Sequence, residues 1–176
     1  IPAQPRLGEA LAYKDEAPNW SLTLSIKRLE PTILAEVFNS VTVGEASLRG
    51  GAIINLTLLN QGVQKFTIRI PDTNTWKNVK FISPIIRQTS IATNAPGTLD
   101  YTIMLEEKTW NDFLMAVSYD NQYEASKRTI ALGVPHALEA ERQEGTLALT
   151  IGPSLQLKIE QKASALRLVD ETELPE

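Results

Sequence analysis

The single histidine, His136, is the first residue to consider for chemistry, because imidazole titrates near neutral pH and ligates metals. Catalysis or zinc binding would need partner residues at an organised spacing, and neither an HExxH nor a Gly-x-Ser-x-Gly motif is present. The chain also lacks cysteine, which removes thiol catalysis, thiolate metal sites and disulfides together. We therefore interpret His136 as a surface residue beside Pro135, and the sequence predicts no catalytic residue, metal or cofactor.

Acidic residues offer weaker candidates. Glu106 and Glu107 are adjacent, so on a strand their side chains point to opposite faces, and we interpret them as a polar strand end. The segments 72–74 and 120–121 carry Asp and Asn at predicted strand ends, which are oxygen ligands of the kind that calcium prefers. Neither segment has the glycine and glutamate of an EF-hand loop, and Asp and Asn are also the usual turn residues. A structural calcium site and a simple turn are both compatible with them.

The tryptophans carry the only positive functional indication. Carbohydrate-binding β-sandwiches present planar aromatic rings to sugars, and Trp20, Trp76 and Trp110 are the candidates for such a platform. Trp20 is in phase with Leu22 and Leu24, so we expect it in the core. Trp76 and Trp110 lie in polar stretches, where a tryptophan either packs over the end of a sheet or is exposed for binding. These two residues are the predicted ligand-binding candidates, with packing as the competing interpretation.

Apolar and polar residues alternate with a period of two in the elements that must position these side chains. Successive strand residues point to opposite faces, so this alternation predicts antiparallel sheet with one buried and one solvated face. Their number and spacing are typical of a sandwich. The predicted strands are 20–29, 32–43, 48–59, 63–70, 79–82, 85–91, 98–106, 113–119, 127–132, 146–150 and 155–159, with 165–169 as a further candidate.

Three places interrupt this pattern. The alternation shifts phase at Phe38, which predicts a bulge or bend near 39–40. The pair 50–51 is Gly-Gly inside a strand pattern, which indicates a bulge or a close backbone approach. The segment 135–144 is rich in helix formers, has proline near its start and meets Gly145 at its end. We predict a short helix there, with an exposed loop as the alternative.

These elements predict an all-β fold, an antiparallel β-sandwich or super-sandwich of about ten strands with at most one short helix. With 176 residues, the chain suits one such domain over 20–169, preceded by a lead-in segment over 1–19 and followed by an acidic linker or tail over 170–176. Its beginning, Ile-Pro-Ala-Gln-Pro, and its acidic end favour a module excised from a longer protein.

Charge and hydropathy exclude two classes of partner. The formal net charge is −4 and the basic residues are scattered, so no basic surface is available for nucleic acid. The chain shows no apolar run near the roughly 20 residues that a membrane-spanning helix needs. We therefore expect neither nucleic-acid binding nor membrane insertion by this segment.

Two stretches carry a resemblance to a known group of proteins. The first is 18–71, with Arg-Leu-Glu-Pro over 28–31 and Gly-Val-Gln-Lys-Phe-Thr-Ile-Arg-Ile-Pro over 62–71. The second is Arg-Gln-Glu-Gly-Thr-Leu-Ala-Leu over 142–149, leading toward Glu-Leu-Pro over 173–175. Both are similar in strand rhythm to β-rich modules of large, mostly uncharacterised bacterial envelope proteins. The resemblance implies an extracytoplasmic setting, at the cell surface or in the periplasm, and it transfers no functional residues.

The expected function is a non-enzymatic structural or interaction module inside a longer protein, whose partners are neighbouring domains or another envelope protein. The alternative is a carbohydrate-binding module that uses Trp76 and Trp110. A sugar-processing super-sandwich enzyme is the third hypothesis. Galactose mutarotase-like members of that class depend on paired histidines with a carboxylate, and the single His136 counts against it.

Overall fold

The computed structural model describes residues 12–14, 19–71, 77–95, 97–124, 126, 129–159, 166–170 and 174, with only the backbone of 71 and 93–95. In these ranges the chain forms nine strands and no helix. The strands are β1 (Thr32–Val43), β2 (Ser47–Leu59), β3 (Val63–Pro71), β4 (Lys77–Ile82), β5 (Ile86–Ala95), β6 (Thr98–Thr109), β7 (Phe113–Gln122), β8 (His136–Ala137) and β9 (Arg142–Ile151).

The strands form two sheets, which confirms the predicted all-β sandwich. The five-stranded sheet has the order β4-β7-β2-β1-β9, and the four-stranded sheet has the order β5-β6-β3-β8. All pairs are antiparallel except β1 with β9, which run parallel. A parallel pair needs a long crossover, and the stretch between β1 and β9 contains every other strand of the domain.

One core lies between the two sheets, built by the side chains that alternate inward along each strand. In β1 the inward positions Ile33, Ala35, Val37 and Val41 are at most 4% exposed. Aromatic rings join the sheets directly, because Phe66 of β3 stacks on Phe113 of β7 at a centroid distance of 5.4 Å. The period-two pattern therefore predicts the buried face of β1 and of the other central strands.

The predicted bulge near Asn39 is wrong. β1 and β2 pair without a break from Thr32 to Val43, and Asn39 occupies an inward position that is fully buried. Its Oδ1 accepts a hydrogen bond from the hydroxyl of Tyr119 on β7, whereas its Nδ2 has no hydrogen-bond partner among the described residues. Gly50 lies beside the Tyr119 ring, where a Cβ would overlap the Cε2, Cζ and hydroxyl atoms. Of the two alternatives for 50–51, the structure shows the close approach.

The first predicted strand, 20–29, is also wrong. Residues 20–30 form no strand and are exposed throughout, although they alternate as regularly as β1 does. Trp20, which was expected in the core, is 66% exposed. The chain is fixed to the domain only after this segment, where Gln61 Nε2 donates to the Leu29 carbonyl and Asn60 Nδ2 donates to the Glu30 carbonyl at 3.2 Å.

Other predicted elements in the second half are likewise absent. Residues 129–132, 155–159 and 166–169 form no strand, and 127–128 and 165 lie outside the described residues. The predicted helix over 135–144 is replaced by β8, a turn and the start of β9. Tertiary pairing overrides helix propensity here, because β8 pairs with β3 and Glu141 N donates to the Ile33 carbonyl, which brings β9 alongside β1.

Candidate interaction surface

The outer face of the five-stranded sheet carries an apolar band that crosses four strands. The register places Phe38 of β1 opposite Ile53 of β2, and Ile53 opposite Ala116 of β7. Ala116 lies opposite Ile82 of β4, so these residues form one continuous row. Leu114 lies two positions from Ala116 on β7 and therefore on the same face. We call these five residues the apolar band.

The band is open to solvent instead of being covered by another element. Ile53, Ile82 and Leu114 are 45%, 57% and 60% exposed, and the other two members are half-buried. On β2 the neighbours that point inward, Ala52 and Ile54, are 2% and 0% exposed. β2 therefore carries apolar residues on both faces, whereas a surface strand of an antiparallel sheet normally has a polar outer face.

Charged side chains border the band at both ends of the strands. On one side, Glu36 lies opposite Glu144 of β9, and Arg142 Nε donates to Glu144 Oε1 at 2.9 Å. On the other side, Arg49 of β2 lies opposite Asp120 of β7. An apolar centre with a charged, solvated border is the organisation found in protein–protein interfaces.

The outer face of the four-stranded sheet is polar by comparison. Arg69 of β3 and Asp100 of β6 face each other and form a bidentate ion pair, with Nε–Oδ1 at 2.7 Å and Nη2–Oδ2 at 2.8 Å. The hydrogen bond to Asp100 raises the pKa of Arg69. Asp100 is 2% exposed, so this ion pair links β3 to β6 and does not form an open charged site.

His136 lies on β8 directly opposite Arg69, and its side chain is exposed. The carboxylate in the same row belongs to Asp100, which lies one strand beyond Arg69 and is already engaged by the guanidinium. Among the described residues His136 has no carboxylate partner that would orient it as a general base. The geometry around the single histidine therefore assembles no acid–base pair.

The two predicted ligand-binding tryptophans have different outcomes. Trp76 lies outside the described residues. Trp110 follows β6, is 62% exposed, and lays its ring against Gly62, where a Cβ would come within 2.7 Å of two ring atoms. One face of the Trp110 indole is thus backed by the β2–β3 turn while much of the ring is accessible. The structure does not bring Trp110 together with a second described aromatic residue.

Metal-ligating groups are not clustered in the described parts of the chain, where no set of three or more His, Asp or Glu residues is placed to hold an ion. The segment 72–74 lies outside those parts. Asp120 lies opposite Lys77 in the β4–β7 pair, and an ammonium group next to a carboxylate disfavours a bound cation. The residues here line a shallow open depression formed by Lys77, Asn78, Asp120, Asn121 and Gln122.

Sequence reasoning missed the apolar band. The signal was available, because Phe38 and Ile53 are apolar residues at positions where the alternation calls for polar ones. At Phe38 this mismatch was interpreted as a bulge. Ile82 and Leu114 gave no separate signal, since a single exposed apolar residue is normal on a protein surface. Only the strand register, which the sequence does not contain, shows that these residues are neighbours.

The fold and this surface define a class: a nine-stranded, two-sheet β-sandwich with an apolar band on the outer face of its larger sheet. The described residues contain no helix that is long and apolar enough to cross a membrane. No family model and no curated protein matches the chain.

Among solved structures, the chain is similar to a non-cellulosomal cohesin from the hyperthermophilic archaeon Archaeoglobus fulgidus. The match covers 69% of this chain and 92% of that chain, with 9% sequence identity and a TM-score of 0.31. At this identity and TM-score, the likeness supports no statement about binding or assembly. The surface of the chain itself therefore has to carry any functional proposal.

Proposed function

We propose that this chain is a non-enzymatic interaction module that binds a protein partner through the apolar band. The observation that carries the proposal is the continuous row of Phe38, Ile53, Ala116 and Ile82 across four strands. The resemblance to envelope-protein modules supports an extracytoplasmic setting inside a longer protein. The position of His136, opposite Arg69 and without a carboxylate partner among the described residues, supports a role without catalysis.

The physical basis is the cost of leaving apolar surface in water. Removing apolar surface from water is favourable by roughly 25 cal/mol per Å², so a partner that covers the band gains free energy from each of its exposed side chains. A flat sheet face with fixed backbone needs little rearrangement on binding, which limits the entropic cost of association. The charged residues at both borders add orientation, because a partner must place opposite charges against them.

A matched pair of leucine and isoleucine positions makes this proposal testable. Ile53 and Leu59 lie on the same face of β2 and are 45% and 44% exposed, but only Ile53 belongs to the band. We expect Ile53→Thr combined with Leu114→Thr to reduce partner capture at least tenfold, while Leu59→Thr leaves it unchanged. Threonine is β-branched, a shape that strands favour, so both variants should fold.

The measurement is quantitative capture from a bacterial envelope fraction, with a photo-crosslinking residue at position 53 or position 59. The proposal would be supported if only position 53 crosslinked, and if it crosslinked to the partner that the Ile53→Thr, Leu114→Thr variant no longer captures. Equal crosslinking from both positions, or capture that is insensitive to the band variant, would refute it. Circular dichroism and thermal unfolding of each variant exclude loss of fold as the cause.

Carbohydrate binding is the second candidate, and the exposed ring of Trp110 favours it. An indole backed on one face by Gly62 and open on the other is suited to stacking on a sugar ring. We expect a binding glycan to change tryptophan fluorescence in the unaltered chain and not in Trp110→Ala. Retention of the response in Trp110→Ala, or its absence across a glycan panel, contradicts this function.

A further inference from the structure

The segment Trp20–Lys27 has the pattern of a strand but no strand partner. Its residues make no backbone hydrogen bond to another described residue, and they are exposed from end to end. Four large apolar side chains lie on one side of the alternation. They are Trp20 at 66%, Leu22 at 53%, Leu24 at 71% and Ile26 at 91% exposure. An amphipathic strand of this kind satisfies both its backbone and its apolar face by joining the edge of a sheet.

The edge strand β9 is the best acceptor among the described sheet edges. β9 has ten residues in unbroken register with β1, whereas β4 and β5 have irregular registers and β8 has only two residues. The other edge of β9 faces no described strand. Its inward residues Leu149 and Ile151 are each 38% exposed, although Val41, which lies opposite Leu149 on β1, is fully buried.

The charged residues favour one of the antiparallel registers that pair apolar side chains. With Leu22 opposite Leu149, Trp20 lies opposite Ile151 and Leu24 lies opposite Leu147, so three apolar pairs face the core side. The same register sets Lys27 opposite Glu144, which is a favourable cross-strand pair. A shift by two residues in one direction would place Lys27 opposite Arg142, and like charges in that position are destabilising.

The hydrogen bonds that follow the segment indicate that the β9 edge it pairs with belongs to another molecule. Leu29 and Glu30 are held by Gln61 and Asn60, which follow β2 directly. β2 and β9 lie on opposite sides of β1, so these hydrogen bonds hold Leu29 and Glu30 on the β2 side, away from the β9 of the same chain. A second copy of the chain offers the same edge without breaking them.

We propose that Trp20–Lys27 pairs as an antiparallel strand with the free edge of β9 in a second copy of this chain, with Leu22 opposite Leu149. The apolar side of the segment then extends the core of the partner sandwich, and Ser21, Thr23 and Ser25 face solvent. This inference does not depend on the apolar band, which lies on the outer face of the sheet and includes no residue of β9.

Disulfide trapping tests this register directly, because the natural chain has no cysteine. One population carries Thr23→Cys and the other Ala148→Cys, two residues that face each other in the proposed register. Opposed residues have Cα atoms about 4.5–5.5 Å apart, within disulfide range. We expect a disulfide-linked dimer in the mixture and little in either population alone.

The matched control pairs Thr23→Cys with Glu144→Cys, which the register separates by four residues, or about 13 Å. We expect at least tenfold less crosslinking there. Equal crosslinking in both mixtures would overturn the register. Rapid closure of a chain that carries both Thr23→Cys and Ala148→Cys into a crosslinked monomer would overturn the choice of a second copy.

Sedimentation of the full chain provides a second test without cysteines. We expect the mass to rise with concentration from that of one chain, 19.5 kDa, toward a dimer or a longer assembly. Leu24→Ser should weaken association at least tenfold, while Leu157→Ser, at another exposed leucine outside the segment, should not. The proposal would be overturned if the chain stayed monomeric at every concentration and no Thr23–Ala148 disulfide formed. Disulfide trapping that is unchanged in an Ile53→Thr background would show that strand pairing is independent of partner binding by the apolar band.

Discussion

Gly50 gives the sharpest test of how the core is built. A Cβ at this position would overlap two ring carbons and the hydroxyl oxygen of Tyr119, and Tyr119 is 4% exposed, so the overlap must be relieved inside the core. Overpacking of this kind costs about 1–3 kcal/mol. Displacing the ring also breaks its buried hydrogen bond to Asn39, which costs about a further 1–3 kcal/mol. We therefore expect Gly50→Ala to lower the free energy of unfolding by about 2–6 kcal/mol.

The neighbouring glycine supplies the control. A Cβ at Gly51 points to the outer face and meets only the Val117 carbonyl, at 3.4 Å. Gly51→Ala should change stability by less than about 1 kcal/mol, and in the stabilising direction, because alanine loses less backbone entropy on folding. Urea unfolding followed by circular dichroism measures both. A loss in Gly50→Ala no larger than in Gly51→Ala would refute the role of the Tyr119 ring, and rescue of Gly50→Ala by Tyr119→Leu would support it.

Two further predictions concern ionisable groups. Burial raises the pKa of Tyr119 far above its usual value, so the tyrosine contribution to stability is complete below about pH 10 and lost as the pH rises further. Tyr119→Phe should therefore flatten the alkaline loss of stability in urea unfolding, and an unchanged pH profile would contradict this. Arg69→Met should lower the urea midpoint more than Lys65→Met on the same face, because it leaves the buried Asp100 carboxylate without its ion-pair partner Arg69. Equal midpoints in the two variants would show that the ion pair does not contribute to stability.

The sequence pattern predicted the strands that pair in the two sheets, but it also predicted strands in segments that form none, such as 20–29 and 155–159. β1 was predicted with its observed bounds, Thr32–Val43, because its alternation reflects a face that is buried between two sheets. The phase at Asn39 was misjudged because the group that satisfies it, the Tyr119 hydroxyl, is 80 residues away along the chain. No local pattern reports a hydrogen bond across that distance.

The continuity of the apolar band was hidden for the same reason, although Phe38 and Ile53 each depart from the alternation. Its members come from β1, β2, β4 and β7, and two of the three strand pairs among them, β4–β7 and β7–β2, join strands that are not consecutive in sequence. Trp110 was predicted either to pack over the end of a sheet or to be exposed for binding, and its ring lies against Gly62 with 62% of the residue accessible. Its part in ligand binding stays a prediction. The domain boundaries at 19–20 and 169–170 stay predictions.

The contrast between β1 and Trp20–Leu29 shows what alternation alone leaves undecided. Both segments alternate over ten or more residues, yet β1 is paired along both edges and the other segment along neither. Burying a large apolar side chain stabilises a protein by about 1.5–3 kcal/mol. Leaving the side chains of Trp20, Leu22, Leu24 and Ile26 exposed therefore loses a stabilising free energy comparable to the whole stability of a domain. A segment that keeps this pattern without a strand partner among the described residues is best explained by a partner in another molecule, and trapping Thr23 against Ala148 decides whether that molecule is a second copy.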